Sequence, residues 1–167
     1  LERRKDIAPR LHDFAKDGDL GLVKVIGDDV LEVAEICSRV YESGKLDKIG
    51  CDPAGLGGIV DSLVESEIPQ ELIAGISQGW KMTGAIRTAE RKLAEGVIVH
   101  AGQPMMAWCC GNAKIEPRGN AVIITKQSAG SAKIDPLMAM FNAVTLMSLN
   151  PESQESIDDF INNPIFG

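Results

Sequence analysis

The chain has 167 residues, 44% of them hydrophobic and only 4% aromatic, which is enough for one domain with a core of Ile, Leu, Val, Met and Ala. A net charge of −7 excludes a uniformly basic nucleic-acid binder, but the charge is uneven: residues 80–135 hold eight basic and four acidic side chains, net +4, and the remainder is net −11. Cys37, Cys51, Cys109 and Cys110 form no C-x-x-C and no zinc spacing with His12 or His100, no signal peptide is evident, and no apolar run is long enough to span a bilayer, so the reading is a cytosolic protein with reduced thiols.

In chain order, residues 1–19 read as charged and turn-rich. The β-branched run 20–26 reads as a strand. Gly27-Asp28-Asp29 supplies a turn and an N-cap for a helix carrying Val30, Val33, Ala34, Cys37 and Tyr41, which Gly44 stops. Residues 48–51 read as a short buried strand ending at Asp52, and Ala54-Gly55-Leu56-Gly57-Gly58 as a loop opening a helix over 59–65. Residues 72–76 fit a strand or a helical turn. Thr83 starts an amphipathic helix with Ile86, Ala89, Leu93 and Ala94 on one face, closed by Gly96. A short apolar run follows at 97–99, then an apolar helix at 104–110. A hairpin pairs 114–116 with 121–126 around Pro117-Arg118-Gly119-Asn120. A flexible loop is expected at 128–131, and Asp135 opens a last long helix that Asn150-Pro151 ends. The tail beyond is acidic, then semi-apolar at Phe160, Ile161, Ile165 and Phe166. Strands alternating with helices argue for an α/β fold.

Two aspartates have addresses suited to chemistry. Asp52 stands at a strand's C-terminal end and Asp135 at a helix start, where carboxylates from distant segments can share one metal site. Each also has a local reading: Asp52-Pro53 fits a turn, and Asp135-Pro136 fits an N-cap followed by Pro at the first helical position. Lys126 and Lys133 flank the 128–131 loop and suit contact with DNA phosphates, or are ordinary solvated lysines. The Gly55–Gly58 stretch lacks both G-x-G-x-x-G and GK[ST], so it reads as a permissive loop rather than a nucleotide cradle. His12 and His100 have no Ser or Cys partner for a hydrolytic triad.

Taken in order, these segments resemble the nuclease domain of tailed-bacteriophage terminase large subunits. Ile49-Gly50-Cys51-Asp52-Pro53 is similar to that family's strand-end aspartate motif. Gln78-Gly79 before a helix, Leu93-Ala94-Glu95-Gly96, and His100-Ala101-Gly102-Gln103-Pro104-Met105-Met106-Ala107-Trp108 are similar to its middle section. Lys133-Ile134-Asp135 before an Ala/Met-rich helix resembles its final catalytic aspartate. The resemblance runs from about Asp6 to Asn150.

The resemblance implies an RNase H-like fold, a mixed sheet flanked by helices, over residues 1–150, with 151–167 as a polar tail. It implies a two-metal endonuclease that uses Mg²⁺ or Mn²⁺ to cut concatemeric viral DNA during packaging, with Asp52 and Asp135 as metal-binding carboxylates. The family's third carboxylate, on its first strand, is not found here and is expected upstream of Leu1, so the chain reads as a fragment that lacks the first strands and has an incomplete site. No Walker A sequence occurs, so the family's packaging ATPase is not within this chain. Implied partners are double-stranded DNA, the terminase small subunit and the portal protein, in the cytoplasm of a bacterial host. Sheet edges left open by missing strands would invite a strand-paired dimer. The tail is a candidate docking segment for another part of the packaging machine. Two alternatives stand beside this reading: a non-catalytic RNase H-like interaction module, and a nucleotide-binding α/β domain that uses the glycine loop.

Overall fold

The computed structural model describes residues 5–54, 57–127 and 132–151; Gly55 and Leu56 of the glycine loop, the loop 128–131 and the tail 152–167 lie outside the described residues. Helix α1 (Ala8–Lys16) was not anticipated in the charged N-terminal stretch. Its Phe14 is buried and lies 5.5 Å from the Trp108 ring, and its Arg10 guanidinium lies 5.6 Å from the same ring, so Trp108 anchors a helix that is otherwise largely polar. The strand expected at 20–26 does not form. Leu22 and Val25 are exposed and Ile26 fully so; without a partner ladder or a face to bury, β-branched composition does not make a strand. The apolar run 97–99 likewise stays irregular.

Helix α2 (Asp28–Glu42) starts after Gly27, whose φ of 103° only glycine adopts readily. Strand β1 (Ile49–Cys51), helix α3 (Gly57–Glu65) and strand β2 (Ile73–Gly75) follow, and a 3₁₀ turn over Gln70–Leu72 precedes β2, so both readings of that segment hold in part. β1 and β2 pair in parallel, Ile49 with Ile73 and Cys51 with Gly75. The pleat sends alternate residues to opposite faces. Ile49 and Ile73 pack with Ala34, Leu63 and Ile68 under α2 and α3, whereas Gly50 faces helix α6 (Asp135–Met147).

The second half is built on α4 (Thr83–Ala94), α5 (Pro104–Gly111) and the antiparallel hairpin β3 (Ala113–Arg118) and β4 (Ala121–Lys126). Pro117 belongs to the ladder, opposite Val122, so the turn is the two residues Gly119-Asn120, with Gly119 at φ 59°. Met82, Ile86, Ala89, Leu137 and Phe141 form this half's core, at about 1.5–3 kcal/mol per fully buried large apolar side chain. Helix α6 serves both halves: Leu137 and Phe141 enter this core, and Asn142 and Leu146 lie against β1. No helix among the described residues is long and apolar enough to cross a membrane.

Candidate functional site

Gly50 is where strand meets helix. A Cβ there would come within 2.9 Å of Leu146 Cδ1 and 3.1 Å of Ile76 Cγ1, so glycine allows the backbone of β1 to approach α6. Residues Lys45 to Lys48, just before β1, share a groove with Gly50 and with α6 from Ala139 to Met147. Asp52 stands two residues beyond Gly50, and Asp135 opens the helix whose Asn142 and Leu146 lie against Gly50.

Their local chemistry differs. Asp52 is exposed, and its Oδ1 accepts the Ala54 N–H at 2.9 Å, so the turn reading holds for one of its oxygens. The cap reading fails for Asp135: Ile134 (φ −134°, ψ 12°) occupies the N-cap, and its carbonyl accepts the Met138 N–H at 3.0 Å. Asp135 instead occupies the first helical turn, exposed, where the helix dipole favours a negative charge. Its carboxylate makes no hydrogen bond or ion pair among the described residues. Burial pushes the Cys109 thiol up, and the nearby Asp135 charge and then Cys110 add to this.

Behind the site sits Asn142, the one buried polar residue among those described, 7% exposed on an otherwise apolar stretch of α6. Gln78 Nε2 donates to Asn142 Oδ1 at 3.0 Å and to the Ile76 carbonyl at 2.8 Å, and the Ile76 N–H donates to the Cys51 carbonyl at 2.7 Å. Asn142 Nδ2 points to the Gly50 carbonyl at 3.5 Å, the outer limit of a hydrogen bond. This chain of bonds ties the carboxyl ends of both parallel strands to the helix that starts at Asp135. Reading the sequence alone missed Asn142; its only trace there is an amide inside Met140-Phe141-Asn142-Ala143-Val144.

Lys126 ends β4, and Lys133 lies two residues before Asp135. Asn112, after α5, accepts the Gln127 N–H at its carbonyl (2.8 Å) and donates Nδ2 to the Lys133 carbonyl (3.0 Å), holding both ends of the 128–131 loop together. Neither lysine has an ion pair among the described residues. Other cations of the basic stretch are engaged locally: Arg91 with Glu95 at 3.2 Å, and Lys114 (3.4 Å) and Arg118 (4.0 Å) with Glu116. The Thr125 hydroxyl and then Lys114 hold the Glu116 carboxyl below its usual range.

Asp52 and Asp135 supply carboxylate oxygens, the donor type Mg²⁺ or Mn²⁺ takes. The donor chemistry fits such an ion, and the set is short: no group of three or more His, Cys, Asp or Glu among the described residues could hold a metal.

Comparison with known proteins gives a consistent picture. Residues 29–150 match the family model described as terminase large subunit, endonuclease domain. Protein YmfN of Escherichia coli (strain K12) is 24% identical over 153 residues, which is 89% of this chain and 33% of that protein. Among solved structures, the HK97 bacteriophage large terminase superposes with a TM-score of 0.65 at 18% identity, covering 87% of this chain and 31% of that one. The chain thus spans about a third of the length of each. The structural likeness bears out the expected α/β, RNase H-like architecture, here as a parallel pair and an antiparallel pair of strands flanked by helices.

Proposed function

The chain belongs to the terminase large-subunit endonuclease-domain family, and from that premise we propose that it is the DNA-cleaving domain of a viral packaging motor, hydrolysing phosphodiesters of concatemeric double-stranded DNA with Mg²⁺ or Mn²⁺. What supports this reading is that Asp52 follows β1 and Asp135 opens the helix packed on β1, with an Asp135 carboxylate not spent on capping. Asp52 and Asp135 would hold the metal, which supplies an activated water and charge stabilisation at the scissile phosphate. Lys126 and Lys133 would contact backbone phosphates, which positions DNA without reading its sequence.

By the same reading, residues 1–150 form the nuclease unit, and 151–167 a tail that docks on other packaging components such as the portal or small subunit. The protein would act in the cytoplasm of the bacterial host. The unpaired outer edges of β1 and β2 among the described residues support strand pairing with a second copy.

The test is plasmid cleavage by the whole protein that carries this domain, in Mn²⁺ and in Mg²⁺. Asp52→Ala and Asp135→Ala should each lower cleavage by at least the roughly 10–100-fold typical of a metal's outer-shell partner, while DNA binding persists. Undiminished cutting in both variants refutes the assignment and favours a non-catalytic interaction module.

A further inference from the structure

We propose that Trp80, with Lys81, is a stacking platform for an unpaired DNA base beside the carboxylate-bearing end of the sheet. The inference rests on the reading above for DNA as the substrate, and adds that the preferred DNA is locally opened or kinked. The chain has two tryptophans, and they are used in opposite ways. Trp108 is packed against Phe14 and lies 5.6 Å from the Arg10 guanidinium. Trp80 is 63% exposed.

That exposure is not looseness. Trp80 sits in a one-turn 3₁₀ helix, Gly79–Met82, that is fastened on both sides. Before it, Gly79 turns the chain at φ 70°, and Gln78 is bonded to Asn142 and to the Ile76 carbonyl. After it, Met82 is 2% exposed in the core with Leu137 and Phe141. The Thr83 hydroxyl donates to the Trp80 carbonyl at 2.7 Å and accepts the Val122 N–H at 3.1 Å. A rigid pedestal thus presents a large ring to solvent, and little ordering remains to be done when something stacks on it.

The surroundings select the ligand. Lys81 Nζ lies 5.8 Å from the Trp80 ring centroid and has no carboxylate partner among the described residues, so a cation stands beside the aromatic face. Among the described residues Arg87, one turn into α4, bonds only the Asn120 carbonyl at 3.0 Å, which leaves the rest of its guanidinium for a phosphate. An exposed aromatic among cations suits a polyanion that also carries π-faces, which is single-stranded or unstacked DNA. In an intact duplex the bases already stack on one another, so the ring gains a partner only where a base is unpaired. The place also fits: Gln78 follows β2, which is parallel to β1, so the pedestal rises from the sheet end that carries Asp52.

The test uses the 167-residue chain with Trp108→Phe, so that Trp80 is the sole emitter, titrated with a fully paired oligonucleotide duplex and with the same duplex bearing a three-base unpaired bulge. Bulged DNA should quench Trp80 and bind about tenfold tighter than paired DNA. Trp80→Ala should remove that preference and leave paired-duplex binding unchanged, and Trp80→Phe should restore most of it. The ratio of the two affinities by gel shift in the protein with Trp108 intact gives the same answer without that substitution. Equal affinity for both DNAs, or a preference that survives Trp80→Ala, overturns the proposal. So does binding with unmoved indole emission, which would point to a protein contact instead. Failure of the nuclease reading would appear separately, as cleavage undiminished by Asp52→Ala and Asp135→Ala.

Discussion

Replacing Asn142 and Gln78 by alanine, singly and together, tests whether the amide pair behind the site acts as one unit. The bond at stake is Gln78 Nε2 to Asn142 Oδ1, 3.0 Å and partly buried. Such a bond contributes about 1 kcal/mol net. Gln78 keeps its 2.8 Å bond to the Ile76 carbonyl when Asn142 is truncated, so no full desolvation penalty is left on the glutamine. The 3.5 Å approach of Asn142 to the Gly50 carbonyl adds little, because it lies at the edge of bonding distance. Loss of packing in a 7%-exposed position adds roughly another 1 kcal/mol for the removed atoms. Asn142→Ala should therefore cost about 2 kcal/mol, or about 4–8 °C in Tm for a domain of this size. Gln78→Ala removes two bonds at about 1 kcal/mol each and so should cost about 2 kcal/mol, and the double variant about 1 kcal/mol less than the sum, since the shared bond is lost only once. Urea denaturation of the four proteins, fitted with a common slope, measures the coupling. Single effects that add to within about 0.3 kcal/mol would show that the two amides do not act together, and would remove the tie between β1, β2 and α6 from the account of the site.

Two further outcomes follow from thiol burial and from the open strand edges. Burial pushes the Cys37, Cys51 and Cys109 thiols up, with Cys37 adding to the effect at Cys51. The folded chain therefore holds these protons to higher pH than the unfolded chain, which ionises from about pH 8.5, so the stability they contribute is complete below that pH and falls as pH rises through the folded values. Urea midpoints at pH 7 and pH 9.5 should show this alkaline loss, and replacing the three cysteines with alanine should reduce it; an equal loss in both proteins would refute the cause. Light scattering on the 167-residue chain should give a dimer paired through β1 or β2, and a monomer with both edges protected from amide exchange would argue against it.

What the sequence made legible was whatever is settled locally. α4 and α6 carry a periodicity that their own side chains bury, and the hairpin follows from Gly119-Asn120 between two apolar runs. The Asp52 turn was readable because donor and acceptor lie two residues apart. The expectation failed at 20–26 because a strand needs a neighbour, and composition does not reveal whether one exists. α1 was hidden because Arg10, His12, Asp13 and Lys16 mask the single buried ring that anchors it. The cap position moved from Asp135 to Ile134, a shift of one residue that propensity does not resolve but that decides whether a carboxylate is occupied. Gln78 and Asn142, 64 residues apart, could not be paired before the fold brought α6 against the strands.

The two bonds that Asn112 makes across the 128–131 loop have a consequence for how the domain can change. With Gln127 and Lys133 both bonded to Asn112, the spacing of the chain on either side of residues 128–131 is set at Asn112. Lengthening such a loop costs little, about 0.6 kcal/mol per doubling. A longer or differently charged segment between those two points would thus leave the aspartate two residues past the clasp in its place.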